Sequence, residues 1–265
     1  MNQPLSYIHP QAKIAQNVVI EPFVTIHKNV EIGEGTWVGP NVTIMEGARI
    51  GKNCKIFPGA VIAAIPQDLK FAGEETTVEI GNHVTIREYV TINRGTRHSN
   101  KTVIMDHTLL MAYVHIAHDC IIGKHCILAN GVNLAGHIDI GNHAIVGGMS
   151  GIHQFVKIGA HAIISGGSMV GKDVPPYVKA ARKPLAYAGV NSIGLRRRGF
   201  SSEKINHILD IYRILFVKNS NVSRALRIIE AEVPSSDERD EIIRFIRESV
   251  RGIMRGFRPT YDNYT

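Results

Sequence analysis

No long apolar run, no CxxC pair and no nucleic-acid-reading motif occurs in this 265-residue sequence. Each absence excludes something. Cys54, Cys120 and Cys126 fall in slots otherwise held by small residues, so they read as buried thiols of a reducing compartment rather than a disulfide framework. No apolar stretch reaches membrane-spanning length, and the opening MNQPLSYIHP lacks a basic segment followed by an apolar one. A soluble cytoplasmic protein with no transmembrane segment is expected. The formal charge of +7 comes without an aromatic–basic platform, so nucleic acid is not expected. An acidic protein partner or a phosphorylated small molecule accounts for the charge.

What is present is a period of six. An aliphatic residue returns at Ile8, Ile14, Ile20, Ile26, Ile32, Val38, Ile44, Ile50, Ile56 and Ile62, again at Ile80, Ile86 and Ile92, and then from Ile104 in unbroken steps to Val170. Neither an amphipathic helix nor an alternating strand has that period. A solenoid does, if each hexad forms one flat side and three hexads close a triangular coil. Two places before each aliphatic stands a small or β-branched residue that can share a narrow interior, such as Val24, Ala48 or Cys54. Glycine often follows the aliphatic, as at Gly33, Gly51 and Gly141, where a corner leaves no room for a side chain.

The register fails at Asp68, Glu74 and His98 and resumes in phase, so loops of near-coil length are expected near 63–77 and 94–101. Loops that leave a smooth wall are the usual way to build a pocket. Leu69 and Phe71 in the first loop suit a packed neighbour better than solvent. The repeats are expected to stop at Pro175–Pro176. The chain thus divides into a β-solenoid at 1–178 and a basic connector with a C-terminal α-helical domain at 179–265. Helices are expected from Ser201, over Ser223–Ala231 and after Ser236, the last with a face of Ile242, Ile243, Ile246, Val250 and Ile253. The end, RPTYDNYT, reads as a loose tail.

Residues 18 apart stack. His107, His125, His143 and His161 therefore form an outward column, but rungs ~4.8 Å apart set imidazoles in a line rather than a tetrahedron. A packing ladder is the simpler reading. The denser group is YVHIAHDC, with His115, His118 and Asp119, joined by His137 in LAGH and by His153 and Gln154 in GIHQF. One coil beyond His118 lies Gly136, so an exposed imidazole would face bare backbone. That suits a general base beside an N–H able to meet an oxyanion, with Asp119 to support the imidazolium. No serine or cysteine is placed as a nucleophile, which favours direct attack by a substrate hydroxyl.

The hexads together with IPQDLKFAGE, IREYVTINRGT, HIAHDC, LAGH, GGMSGIHQF, KDVPPYV and GVNSIGLRRRGF closely resemble the UDP-N-acetylglucosamine 3-O-acyltransferase family of lipid A synthesis. The resemblance covers nearly the whole chain, most weakly its last sixty residues. It implies an all-β left-handed parallel β-helix with a C-terminal helical domain, assembled as a homotrimer with sites between subunits. It further implies transfer of an (R)-3-hydroxyacyl group from acyl carrier protein to the 3-hydroxyl of UDP-N-acetylglucosamine. No metal and no cofactor of the protein's own is implied, since the donor rides on the carrier's phosphopantetheine arm.

By motif, His118 is the base, Gly136 N–H the oxyanion donor and Asp119 the support. Asp68, Lys70, His115, His137 and Gln154 resemble sugar and phosphate contacts, and His153 lies near the acyl site. Asn191 and Arg198 resemble nucleotide contacts, while Gly166 stands where the family measures acyl length. One departure is Ser192–Ile193, where the family often carries an acidic residue. Lys172, Lys179, Arg196 and Arg197 are proposed to face the acidic carrier protein. Related readings stay open at this point: an N-acyltransferase, which usually has an added N-terminal domain, an acetyl-coenzyme-A-dependent sugar acetyltransferase, a zinc-dependent carbonic anhydrase-like solenoid, and a scaffold indifferent to His118.

Overall fold

Each hexad folds as a two-residue strand followed by a corner. A computed structural model describes residues 5–219 and 221–256; the expected tail at 258–265 lies outside them. The aliphatic residue and the small residue two places before it both point inward: Val24, Ile26, Val30, Val38, Ile44, Ala48, Cys54 and Ile56 are essentially inaccessible. The residue between them faces out. Strands three hexads apart pair in parallel, Tyr7 with Thr25 and Ile8 with Ile26, and so build three walls. Among the described residues these walls hold nine, eight and eleven strands, beginning at Tyr7–Ile8, Lys13–Ile14 and Val19–Ile20 respectively. The edges are numbered here first (walls one to two), second (two to three) and third (three to one).

The glycine directly after an aliphatic does not make the corner turn, although Gly35, Gly59, Gly131 and Gly167 stand at the position that does. The residue three places after each aliphatic does, with φ near 60°: Asn17, Asn41, Asn53, His107, Asp119, His125 and His137 all sit in this left-handed region, which Asn, Asp and His tolerate better than most. The glycines after the aliphatic serve close approach instead. A Cβ on Gly33 would lie 2.6 Å from the Gly51 carbonyl carbon of the coil above. There is no room for one, as the sequence suggested, but the cause is coil-on-coil contact.

Both irregular loops leave the first edge. Ile50 pairs with Ile80 and Ile62 with Ile92, which are 30 residues apart instead of 18. Ile80 pairs with Ile104 and Ile92 with Ile116, 24 apart. The loops therefore add two sides and one side, less than the near-coil length expected. Leu69 is fully exposed in the single chain, whereas Phe71 lies beneath the Arg94 guanidinium, 5.5 Å from its ring centre.

The repeat runs past Pro175–Pro176, contrary to expectation. Val174 bridges to Ile158 on wall two, and Val178–Ala181 pairs in parallel with Ile163–Ile164 on wall three. The prolines fall at the second edge between these strands, where a missing N–H breaks no strand pairing. Wall three thus crosses the expected boundary at 178. It ends with the antiparallel strand Ala186–Val190 and the returning strand Arg255–Gly256.

Among the described residues four α-helices follow: α1 (Ser192–Arg197), α2 (Ser202–Tyr212), α3 (Val222–Glu232) and α4 (Asp237–Arg247), with a π-helical turn at Arg213–Lys218. Asn191, Ser201, Asn221 and Ser236 cap their N-termini through side-chain oxygens. Ile205, Ile208, Ile211 and Tyr212 bury one face of α2, and the Tyr212 hydroxyl donates to the Pro176 carbonyl at 2.6 Å. The helical domain is thereby fixed to the top of its own solenoid. Val250, expected on the buried face of α4, lies beyond the helix and is exposed. None of the described helices is long and apolar enough to cross a membrane.

Candidate active site

His118 and Asp119 occupy one corner of the first edge, with Gly136 and His137 in the corner above and Gln154 and Phe155 in the next. His118 Nδ1 lies 2.7 Å from Asp119 Oδ2. An ionised carboxylate only accepts, so Nδ1 carries the proton and Nε2 presents a lone pair. Nε2 faces Gly136, whose hypothetical Cβ would stand 2.7 Å from it. The Gly136 N–H donates to no group among the described residues. From the first loop Asp68 brings a carboxylate oxygen to 4.0 Å from the same Nε2. A base, an unbonded backbone N–H and a carboxylate therefore lie side by side on this edge.

The second loop wraps Asp119. Thr96 donates its N–H to Oδ1 at 3.0 Å and its hydroxyl to Oδ2 at 2.7 Å. Ser99 N–H reaches Oδ1 at 3.2 Å, and the Ser99 hydroxyl makes a very short contact to the same oxygen. Burial pushes Asp119 up, but the hydrogen bonds from Ser99, His118 and Thr96 outweigh it and hold its carboxyl at about 2. These loop residues were missed from the sequence. The available signal was that an insertion leaves the very edge that carries His118, one coil below it.

His137 stacks on Phe155 with centroids 4.5 Å apart and meets the edges of His98 and His118 at 4.6 and 4.9 Å. Its Nδ1 is buried without a partner, 3.8 Å from Asp119 Oδ2, and burial lowers its affinity for a proton. His118, Asp119 and His137 are the only set of three metal-capable side chains that converge among the described residues. Both Asp119 oxygens and His118 Nδ1 are already engaged by protein hydrogen bonds, which suits a hydrogen-bonded base better than a metal shell. His115 faces out of wall one, its Nδ1 2.8 Å from Thr91 Oγ1, and burial lowers its proton affinity too. His153 Nδ1 lies 3.1 Å from the Gln154 carbonyl. Lys70 donates its N–H to Asp68 Oδ1 at 3.0 Å.

The remaining expected site residues lie elsewhere on this chain. Asn191 and Arg198 flank α1 against the second edge. Asn191 donates to the His161 carbonyl at 2.9 Å and accepts from Gly194 N–H at 3.1 Å, so its amide is engaged by its own chain. Arg198 reaches the His143 and Gly194 carbonyls at 3.3 Å, and partial burial lowers its proton affinity. The imidazole column on this edge is real and longer than expected. His83, His107, His125, His143 and His161 stack face to face with centroids 4.7–4.8 Å apart, and Tyr177 continues the line. Gly166 lies on the third edge. Lys172 belongs to the top of the first edge, where Nζ donates to the Arg251 carbonyl at 2.5 Å. Lys179 faces out of wall three, and Arg196 and Arg197 are exposed in the last turn of α1.

A family profile described as UDP-N-acetylglucosamine O-acyltransferase, domain 2, matches residues 173–254, and a bacterial transferase hexapeptide profile matches 101–136. A profile described as the GMPPB C-terminal domain matches 2–107. The acyl-(acyl-carrier-protein)–UDP-N-acetylglucosamine O-acyltransferase of Trichlorobacter lovleyi is 53% identical over 253 residues, covering 94% of this chain and 97% of its own. This chain belongs to the UDP-N-acetylglucosamine O-acyltransferase family. The Sulfurihydrogenibium member is 56% identical over 251 residues, covering 94% of this chain and 93% of its own. Among solved structures, the Bacteroides fragilis UDP-N-acetylglucosamine acyltransferase superposes with a TM-score of 0.95 at 52% identity, over 96% of this chain and 100% of that one. The Acinetobacter baumannii structure gives 0.92 at 44% identity, over 95% and 98%. Solenoid and helical cap together therefore have the architecture of the O-acyltransferase family.

Proposed function

We propose that this O-acyltransferase works at the first edge, with His118 as general base and the Gly136 N–H as oxyanion donor. The enzyme moves an acyl group from acyl carrier protein to UDP-N-acetylglucosamine, the first step of lipid A biosynthesis. His118 Nε2 takes the proton of the sugar 3-hydroxyl as its oxygen attacks the thioester carbonyl of an (R)-3-hydroxyacyl chain. The carbonyl oxygen gathers negative charge beside Gly136 N–H. Collapse expels the phosphopantetheine thiolate, and the imidazolium returns the proton to that sulfur. The route needs no metal and no cofactor bound to the protein. Asp119 holds the imidazole tautomer, and Asp68, Lys70, His115, His137, His153 and Gln154 line the approach of sugar and acyl chain.

The single observation that carries this reading is the proton placement fixed by the 2.7 Å His118–Asp119 contact, which leaves Nε2 facing the open Gly136 backbone. Its test is an assay of H118A with UDP-N-acetylglucosamine and hydroxyacyl carrier protein. Turnover should fall by roughly 10²–10⁴-fold with assembly intact. A fully active H118A would overturn the base assignment.

The active assembly is proposed as a homotrimer in the cytoplasm. Site residues occupy all three edges of one prism, so neighbouring prisms must meet for them to act together. Leu69 and the third-edge side chains Phe23, Tyr89, Tyr113 and Met149 are largely exposed in the single chain, apolar surface of the kind a neighbour covers. Asn191 then acts through α1, which it caps, by setting Arg198 toward the nucleotide. Lys172, Lys179, Arg196 and Arg197 are proposed to meet the carrier protein, with charge complementarity speeding encounter.

A further inference from the structure

A carboxylate offers about four lone-pair sites. Asp119 receives five donors: Thr96 N–H and hydroxyl, Ser99 N–H and hydroxyl, and His118 Nδ1–H. The corner itself does not require them. The Asp119 backbone is held by its own N–H, which donates to Thr102 Oγ1 at 2.9 Å. His125 and His143 adopt the same left-handed turn on the second edge with stacked rings and no side-chain hydrogen bond among the described residues. The loop donors thus act on the carboxylate rather than on the fold of the coil.

Their proton directions are set. His98 N–H donates to Thr96 Oγ1 at 3.2 Å, so the Thr96 hydroxyl is left to give its own proton to Asp119. The Ser99 hydroxyl lies within reach of both Asp119 Oδ1 and the Lys101 carbonyl, and its one proton favours the charged acceptor. Oδ1 is thereby filled by the loop alone. Oδ2 is shared between Thr96 and the imidazole, in one orientation.

We propose that Thr96 and Ser99 are positioning residues of the acyl transfer, which fix the Asp119 carboxylate and share its charge with the loop, so that His118 is held in one orientation and faces only part of that charge. The proposal rests on His118 being the base. Without the loop donors the full carboxylate charge would face the imidazolium and stabilise it. The other ionisable groups around the pair are Asp68 from the first loop, His98 from the second, His137 from the coil above and Cys120 next in the chain. None of them donates to the Asp119 carboxylate among the described hydrogen bonds.

The test compares pH profiles of kcat/KM, whose acid limb reports the base of the free enzyme. Substrates are UDP-N-acetylglucosamine and hydroxyacyl carrier protein. Ser99→Ala and Thr96→Val should each lower kcat by about 10-fold and together by about 100-fold, within the range a positioned acid–base group is worth, while KM changes little. Their acid limb should move to higher pH, whereas Asp119→Asn, which removes the charge, should move it lower. Ser99→Thr should restore the wild-type profile. In an Asp119→Asn background Ser99→Ala should do nothing further. An unmoved acid limb with an equal loss in that background, beside an inactive H118A, would overturn the loop's role alone. An active H118A would overturn the base and this proposal together.

Discussion

A Cβ placed on Gly136 would overlap the His118 ring, 2.6 Å from Cε1 and 2.7 Å from Nε2. The imidazole occupies the space that any other residue at 136 would need, so the glycine sets where the base stands.

Gly136→Ala should therefore keep the fold and lose activity. The ring must move by an appreciable fraction of an ångström, and a misplacement of that order at a reacting centre costs about 10²-fold in rate. Circular dichroism should be unchanged while kcat falls by that factor. A Gly136→Ala enzyme with wild-type turnover would show that the ring is not working in its present place.

A second expectation concerns acyl length. On the third edge a Cβ at Gly166 would meet the Gly148 carbonyl oxygen at 3.1 Å, and one at Gly148 would meet the Asn130 oxygen at 3.0 Å. The column is tighter than its glycines suggested, yet a shift of a few tenths of an ångström admits a side chain. Gly166→Met should abolish use of donors of about 14 carbons and keep or improve use of about 10, since each seated CH₂ is worth ~0.8 kcal/mol. If both enzymes prefer the same donor across a length series, the groove ends elsewhere.

Acid should loosen the second edge. Burial, with help from His143 and Arg198, holds His161 at about 4, below the usual histidine value of 6.5. Its neutral form is the one that packs under Phe200 and beside Tyr177. A folded value below the unfolded one means that stability is whole above pH 6.5 and is lost as pH falls toward 4. His161→Asn, which tolerates the left-handed corner, should lose less melting temperature than wild type between pH 7 and pH 5. Parallel losses would clear the column of that role.

Much of this was legible because an 18-residue coil converts sequence distance into position. His118 and Gly136 stand face to face, and the histidines form a ladder, by spacing alone. Spacing does not reach Thr96 and Ser99, since a loop outside the coil has no phase to place its side chains against Asp119. For Asn191 the motif shows which residues occur together, but not that its amide also caps α1 and ties it to the His161 carbonyl. The prolines misled for a related reason: whether a missing N–H matters depends on strand or corner, and Pro175–Pro176 fall at a corner.

The two loops that furnish the site also bear on how the chain closes upon itself. They lengthen the separation of paired strands from 18 to 30 and 24 residues. Closure entropy grows only with the logarithm of length, about 0.6 kcal/mol for each doubling, and neither loop doubles its coil. Catalytic apparatus on this edge therefore costs the chain almost nothing in closure. An edge of such a solenoid can accept new loops, and new chemistry, with little penalty to the coils on either side.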